Sequence, residues 1–190
     1  ELARKIPTAA GVASGNKRLM LELQDLFMTP FFRIYANPDV TGVEIGGSLK
    51  NIIAIACGIS DGLKFGTNTK AAILSRGLAE IARLGIFMGG NRETFFGITG
   101  LGDLVTTCFN PLSRNHFVGQ KIGEGHSLSK VIARMKMVAE GVPTTKSVYM
   151  LGKKLHVDLP ITNEIYNVLF KRRPPLTAVK RLMQREKKAE

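Results

Sequence analysis

The sequence predicts a mainly α protein, a multi-helix unit preceded by a short β-α-β fragment. Three observations carry this. Two brief β-favouring runs flank a helical pattern before residue 38, apolar residues recur at helical spacing after it, and Gly and Pro mark most interruptions. Pro7 to Ala13 is short and apolar and reads as a strand. Lys17 to Met28 places Leu19, Met20, Leu23, Leu26 and Phe27 at helical spacing, and Phe31 to Tyr35 is aromatic and β-favouring. Two strands do not form a stable sheet alone, so they either pack on the following helices or end a larger sheet. From Asp39 the spacing predicts helices over 39 to 64, 68 to 88, 91 to 96, 100 to 108, 114 to 122, 127 to 134, 144 to 155, 160 to 170 and 174 to 187. Ser127 opens one of these, and Pro160 suits a first helical turn.

At 190 residues and 44% hydrophobic content, the chain is long enough to bury a core as one domain with a small appendage. Lys50, Asp61, Lys64 and Lys70 punctuate the most apolar stretch, which argues against a membrane span, and the opening ELARKIPTAAG is no signal peptide. Cys57 and Cys108 lack metal-ligand or disulfide-framework spacing and read as small core residues in a reduced, cytoplasmic setting. A formal net charge of +12 fits either a nucleic-acid surface or a site for small, highly anionic molecules. Much of the charge sits in Lys171, Arg172, Arg173, Lys180, Arg181, Arg185, Lys187 and Lys188, which reads as a solvated tail. No zinc-finger, aromatic RNA-binding or basic-zipper pattern accompanies it, so a nucleic-acid role rests on charge alone.

The segment TGVEIGGSLKNIIAIACGISDGLKFGTNTK, from Thr41 to Lys70, sets a lysine and an asparagine inside an apolar, glycine-rich helix. At helical spacing, the Lys50 face carries Val43, Gly46, Gly47, Ala54, Cys57, Gly58 and Asp61, while Ile45, Leu49, Ile52, Ile53, Ile59 and Leu63 supply packing surface. A face of small residues admits a close neighbouring backbone or a ligand. A desolvated lysine can serve as general acid or base and polarise a carbonyl oxygen, whereas a lysine that snorkels to solvent does neither.

A second polar cluster runs from Asp103 through Thr106 and Thr107 to Ser113, Arg114 and Asn115. Ser113 is placed to cap the helix beginning at Arg114, and a helix N-terminus bearing an arginine suits an anion. The alternative is a capped surface helix with a solvated arginine. Taken with Lys50 and Asp103, the cluster describes a site for a phosphorylated carbonyl or alcohol. The glycine-rich run from Gly97 to Asp103 lacks GxGxxG spacing and follows no predicted strand, so it is not a dinucleotide fingerprint.

Three long segments, LKNIIAIACGISDGLKFGTNTKAAILSRGLAEIARLG, GITGLGDLVTTC and PLSRNHFVGQKIGEG, stand in one order and spacing, followed by VAEGVPTTKSV and VDLPITNEIYNVLF. With these the chain resembles the soluble, bacterial-type NAD(P)-dependent glycerol-3-phosphate dehydrogenases over nearly its whole length. Lys50 and Asn51 are adjacent, whereas relatives of 6-phosphogluconate dehydrogenase usually place them one turn apart. The resemblance implies a substrate domain like the C-terminal domain of 6-phosphogluconate dehydrogenase over 38 to 190, preceded over 1 to 37 by the end of a Rossmann domain. Most of the cofactor half is then missing, and the chain alone is expected to be inactive.

Carried over by motif, Lys50 and Asp103 match catalytic positions, and Asn51, Thr107, Ser113, Arg114 and Asn115 match residues around the substrate. Arg114, Val138 and Glu140 match positions assigned to the cofactor, NAD or NADP, although Glu140-Gly141 as bare sequence reads as a helix end. The resemblance further implies interconversion of dihydroxyacetone phosphate and sn-glycerol 3-phosphate for glycerophospholipid synthesis, a homodimer, and no metal. The competing expectation is a basic helical module that binds nucleic acid or a protein partner.

Overall fold

The computed structural model describes residues 1 to 186. After a 3-10 turn at Leu2–Arg4, strand β1 (Thr8–Ala13), helix α1 (Lys17–Phe27) and strand β2 (Phe32–Asn37) form a β-α-β unit with parallel strands, Thr8 opposite Phe32 and Ala13 opposite Asn37. The Asn16 side chain caps α1 by accepting from the Leu19 N–H, and Gln24 Nε2 donates to the Ile34 carbonyl across to β2. The rest is helical: α2 (Val40–Gly62), α3 (Thr67–Phe87), α4 (Arg92–Phe96), a π-helical turn (Ile98–Gly102), α5 (Asp103–Phe109), α6 (Arg114–Gly123), α7 (Leu128–Ala133), α8 (Gly141–Leu155), α9 (Pro160–Phe170) and α10 (Pro175–Met183).

Helix α2 is the centre of this arrangement, with α3, α5, α6, α8 and α9 packed around it. Ile52, Ile53, Ala54, Ile55 and Cys57 are fully buried, so successive turns present apolar surface in every direction. By length and composition α2 could cross a membrane, yet 67% of its most apolar window is buried inside the bundle, as befits a core helix.

Asp39 starts α2 and ties it to the α3–α4 connection. Its carboxylate accepts from the Gly42 N–H at 2.8 Å, from the Asn91 N–H at 2.7 Å and from the Thr94 hydroxyl at 2.7 Å. Burial alone would raise the Asp39 pKa, but these three donors outweigh it and hold the carboxyl below its usual range. Glu80 on α3 does a similar job for α9, accepting from the Ile161 N–H, the Thr162 N–H and the Thr162 hydroxyl. Being almost wholly buried, Glu80 is nonetheless pushed up.

Four expectations need correction. The predicted helix over 100 to 108 is preceded and partly replaced by the π-helical turn at Ile98–Gly102, because three glycines within Gly97 to Gly102 disfavour a regular α-helical entry. The helix expected from 144 begins at Gly141, where a side chain from α6 binds its first N–H. The last helix ends at Met183 rather than 187, a residue outside those described. The solvated-tail expectation needs only partial correction: the stretch stays largely exposed, but Arg173 and Arg181 contact Glu164 at 2.6 and 3.3 Å, and Arg185 contacts Asp158 at 2.7 Å. Lys187 and Lys188 lie outside the described residues.

The small-residue face of α2 divides into two parts. Towards its C-terminal end, Gly58 and Gly62 abut the backbone of α6, so there the small residues serve helix packing. Nearer Lys50, Gly46 faces the π-helical turn, and a Cβ placed on Gly47 would meet nothing within 4 Å.

Candidate active site

Lys50 lies midway along α2, and its ammonium donates to Oδ1 of Asp103, the first residue of α5. The two side chains are 21% and 36% exposed, so Lys50 is a paired ammonium at the edge of the core rather than a buried, unpartnered one. The π-helical turn sets this geometry, because it delivers Asp103 against α2 and packs on β1, where Thr99 fills the space beside Gly11. Thr107, one turn further along α5, donates to the Asp103 carbonyl at 2.7 Å, and its hydroxyl lies 3.4 Å from Asp103 Oδ1. Thr106 donates instead to the Gly102 carbonyl and takes no part in the pair.

Asn115, on α6 and buried, joins three elements. Its Oδ1 accepts from the Gly141 N–H at 2.8 Å and its Nδ2 donates to Asn51 Oδ1 at 2.9 Å. An amide N–H can only donate, so the Gly141 contact fixes which end of Asn115 is oxygen. Asn115 Nδ2 must then face the Asn51 oxygen, which leaves the Asn51 Nδ2 group available to an acceptor beside Lys50. Gly141 permits the contact, since a Cβ there would stand 2.7 Å from the Asn51 carbonyl and 2.8 Å from Asn115 Oδ1.

Ser113 caps α6 by accepting from the His116 N–H at 3.3 Å. Arg114, exposed at the first residue of α6, lines a pocket of about 330 Å³ with Ser113, Phe117, Arg134, Lys136 and Met137. Two further cations thus join Arg114 beside a helix N-terminus, an arrangement suited to a phosphate. Sequence reasoning missed Arg134 and Lys136; their alternation in Ala-Arg-Met-Lys-Met was the available signal. Val138 is 68% exposed next to that lining, and Glu140 is the residue that opens α8. Both Val138 and Glu140 are exposed.

The structure therefore joins Lys50, Asp103 and Thr107 in one set of hydrogen bonds and Asn51, Asn115 and Gly141 in another, and sets Ser113 and Arg114 at the adjoining helix start. A further cluster lies along α2, where Asp61 Oδ2 accepts from Lys70 Nζ at 2.6 Å and contacts His116 Nε2 at 2.7 Å. Burial alone would raise the Asp61 pKa, but its bonds to Lys70 and His116 hold it low.

A family model described as the C-terminus of NAD-dependent glycerol-3-phosphate dehydrogenase matches residues 39–180. The chain belongs to this family. The glycerol-3-phosphate dehydrogenases (NAD(P)+) of Maridesulfovibrio salexigens and Geobacter sulfurreducens are 54% and 53% identical to it over 190 residues, covering 100% of this chain and 57% of each relative. The crystal structure of glycerol-3-phosphate dehydrogenase from Coxiella burnetii superposes with a TM-score of 0.93 at 41% identity, over 97% of this chain and 57% of that one. The glycerol-3-phosphate dehydrogenase of Saccharomyces cerevisiae gives a TM-score of 0.85 at 28% identity, over 94% and 55%. The chain thus spans little more than half the length of these glycerol-3-phosphate dehydrogenases.

Proposed function

We propose that this chain is the substrate-binding and catalytic part of an enzyme that interconverts dihydroxyacetone phosphate and sn-glycerol 3-phosphate. On this reading residues 1 to 37 close a dinucleotide-binding domain and residues 38 to 190 form the all-α substrate domain. The observation that carries it is the Lys50–Asp103 ion pair beside Asn51, itself held by Asn115, with a cationic pocket at the adjoining start of α6.

Each group has a distinct task. In reduction, the Lys50 ammonium gives a proton to the C2 oxygen of the ketone, and in oxidation the neutral amine takes the proton of the C2 hydroxyl. Asp103 holds Lys50 in place and Thr107 borders Asp103. The free Asn51 amide N–H bonds donate to substrate oxygen, while Ser113, Arg114 and the α6 N-terminus take the phosphate. NAD(P)H, when bound, supplies the hydride and leaves as NAD(P)+. Arg114, Val138 and Glu140 are the residues here that would border it. Use of the product in glycerophospholipid synthesis, a homodimeric assembly and a cytoplasmic location complete the proposal.

The test is NADH or NADPH oxidation with dihydroxyacetone phosphate, using this chain fused behind the N-terminal portion of the Maridesulfovibrio relative. Turnover that disappears with Lys50→Ala supports the reading. Near-normal turnover in that variant would overturn the role of Lys50.

A further inference from the structure

A second concave site lies between α8, α9 and α10, remote in composition from the one just described. It has a volume of about 300 Å³, and four cationic side chains line it: Lys153, Arg173, Arg181 and Arg185. Asn163, Asn167 and Tyr149 also line it, with Asn167 Nδ2 donating to the Asn163 carbonyl at 2.8 Å. Tyr149 is held by a stack on Tyr166, with ring centroids 3.8 Å apart.

Among the described residues, two carboxylates pair with three of the four cations. Glu164, only 11% exposed, takes both Arg173 and Arg181, and Asp158 takes Arg185. A network built only to neutralise Glu164 needs one arginine. Counted over the described residues, this one leaves two positive charges in excess around a space of small-molecule size. A carboxylate that takes one edge of a guanidinium leaves further N–H donors on it, since the group carries five.

We propose that this pocket binds a phosphate monoester dianion. Two excess charges match the charge of the ligand, and several guanidinium forks match its tetrahedral oxygens. The same chemistry is offered by a soluble phosphate ester and by a lipid whose head group is a phosphate monoester, and the exposed Leu176 and Met183 on α10 lie beside the pocket in sequence. The proposal does not depend on the assignment of Lys50, and its readout is binding rather than turnover.

The test is an equilibrium titration of this chain with inorganic phosphate at constant ionic strength, in an Arg114→Gln background that removes the clamp at α6. Saturable binding is expected there, weakened at least about tenfold by Arg181→Gln combined with Arg185→Gln, given the strength of charge-assisted hydrogen bonds. Those two side chains are 60% and 41% exposed, so the fold tolerates their loss. Lys153→Gln gives an independent variant with a loss in the same direction. Absence of saturable binding in the Arg114→Gln background, or binding untouched by the Arg181, Arg185 and Lys153 changes, overturns the proposal.

Vesicles identify the source. Phosphatidylcholine vesicles carrying phosphatidic acid are compared with ones carrying phosphatidylserine at equal charge. Preference for phosphatidic acid, reversed by inorganic phosphate, assigns the site to a lipid head group. Phosphate binding without vesicle binding assigns it to a soluble ester. Equal attachment to both vesicles, unaffected by phosphate, would reduce the pocket to a basic surface and overturn the proposal.

Discussion

The carbonyl oxygen of Ile55 on α2 lies 2.0 Å from the point a Cβ on Gly119 of α6 would occupy. A carbon and a carbonyl oxygen do not approach that closely, so the two helices cross at this distance only because residue 119 has no side chain. The crossing also sets Asn115, one turn earlier on α6, within reach of Asn51 on α2. Gly119→Ala is expected to force the helices apart, costing about 1–3 kcal/mol as other overpacked cores do. The melting temperature should drop by several degrees. Gly47→Ala, which meets no atom within 4 Å, should leave it unchanged or raise it. Equal effects of the two substitutions would show that helix propensity, not contact, governs this face.

Asn115→Ala removes both bonds at once and leaves the Gly141 N–H at the start of α8 without its partner. A buried, unsatisfied N–H costs about 1–3 kcal/mol, so the urea midpoint should fall. The Gly141 and Val142 amides should also lose protection in hydrogen exchange before the rest of α8 does. Unchanged protection there would mean that α8 starts without help from α6.

Asp103→Asn keeps the shape of the Lys50 partner and removes its charge. In the fused enzyme this should lower kcat by roughly a hundredfold, the lower end of what a positioned general acid–base group contributes. An unaltered kcat would detach Asp103 from the proton transfer.

Asp61 carries a pH dependence of stability whose sign follows from its low pKa. The folded chain binds fewer protons at Asp61 than the unfolded chain does. The stabilisation is therefore present above the ordinary aspartate pKa of about 3.9 and is lost as pH falls through the lower, folded value. Asp61→Asn should thus be less stable than the parent at neutral pH, with the difference shrinking below about pH 4. A difference that stayed constant to lower pH would mean that the Lys70 and His116 contacts do not depend on the carboxylate charge.

Much of this was legible in the sequence. The helix over 160 to 170 is read correctly at both ends because the signals are local: Pro160 has no N–H to lose in a first turn, and the apolar spacing stops where Lys171, Arg172 and Arg173 begin. The mainly α class, the β-α-β opening, the place of Lys50 on a core helix and the Ser113 cap were legible for the same reason, since each depends on residues a few positions apart. The segments that identify the family also lie in unbroken runs.

Tertiary structure decided what joins distant residues. The start of α8 at Gly141 depends on an Asn115 bond across 26 residues, and the Lys50–Asp103 pair spans 53. No periodicity encodes either. The division of the small-residue face between packing at Gly58 and open space at Gly47 depends on where α6 crosses, which spacing along α2 cannot reveal. The ion pairs of the basic C-terminal stretch were not legible because their partners, Glu164 and Asp158, reach it only once α10 folds back on α9. Local propensity and periodicity select the elements, while the partner of a charge or the neighbour of a glycine exists only after the chain has packed.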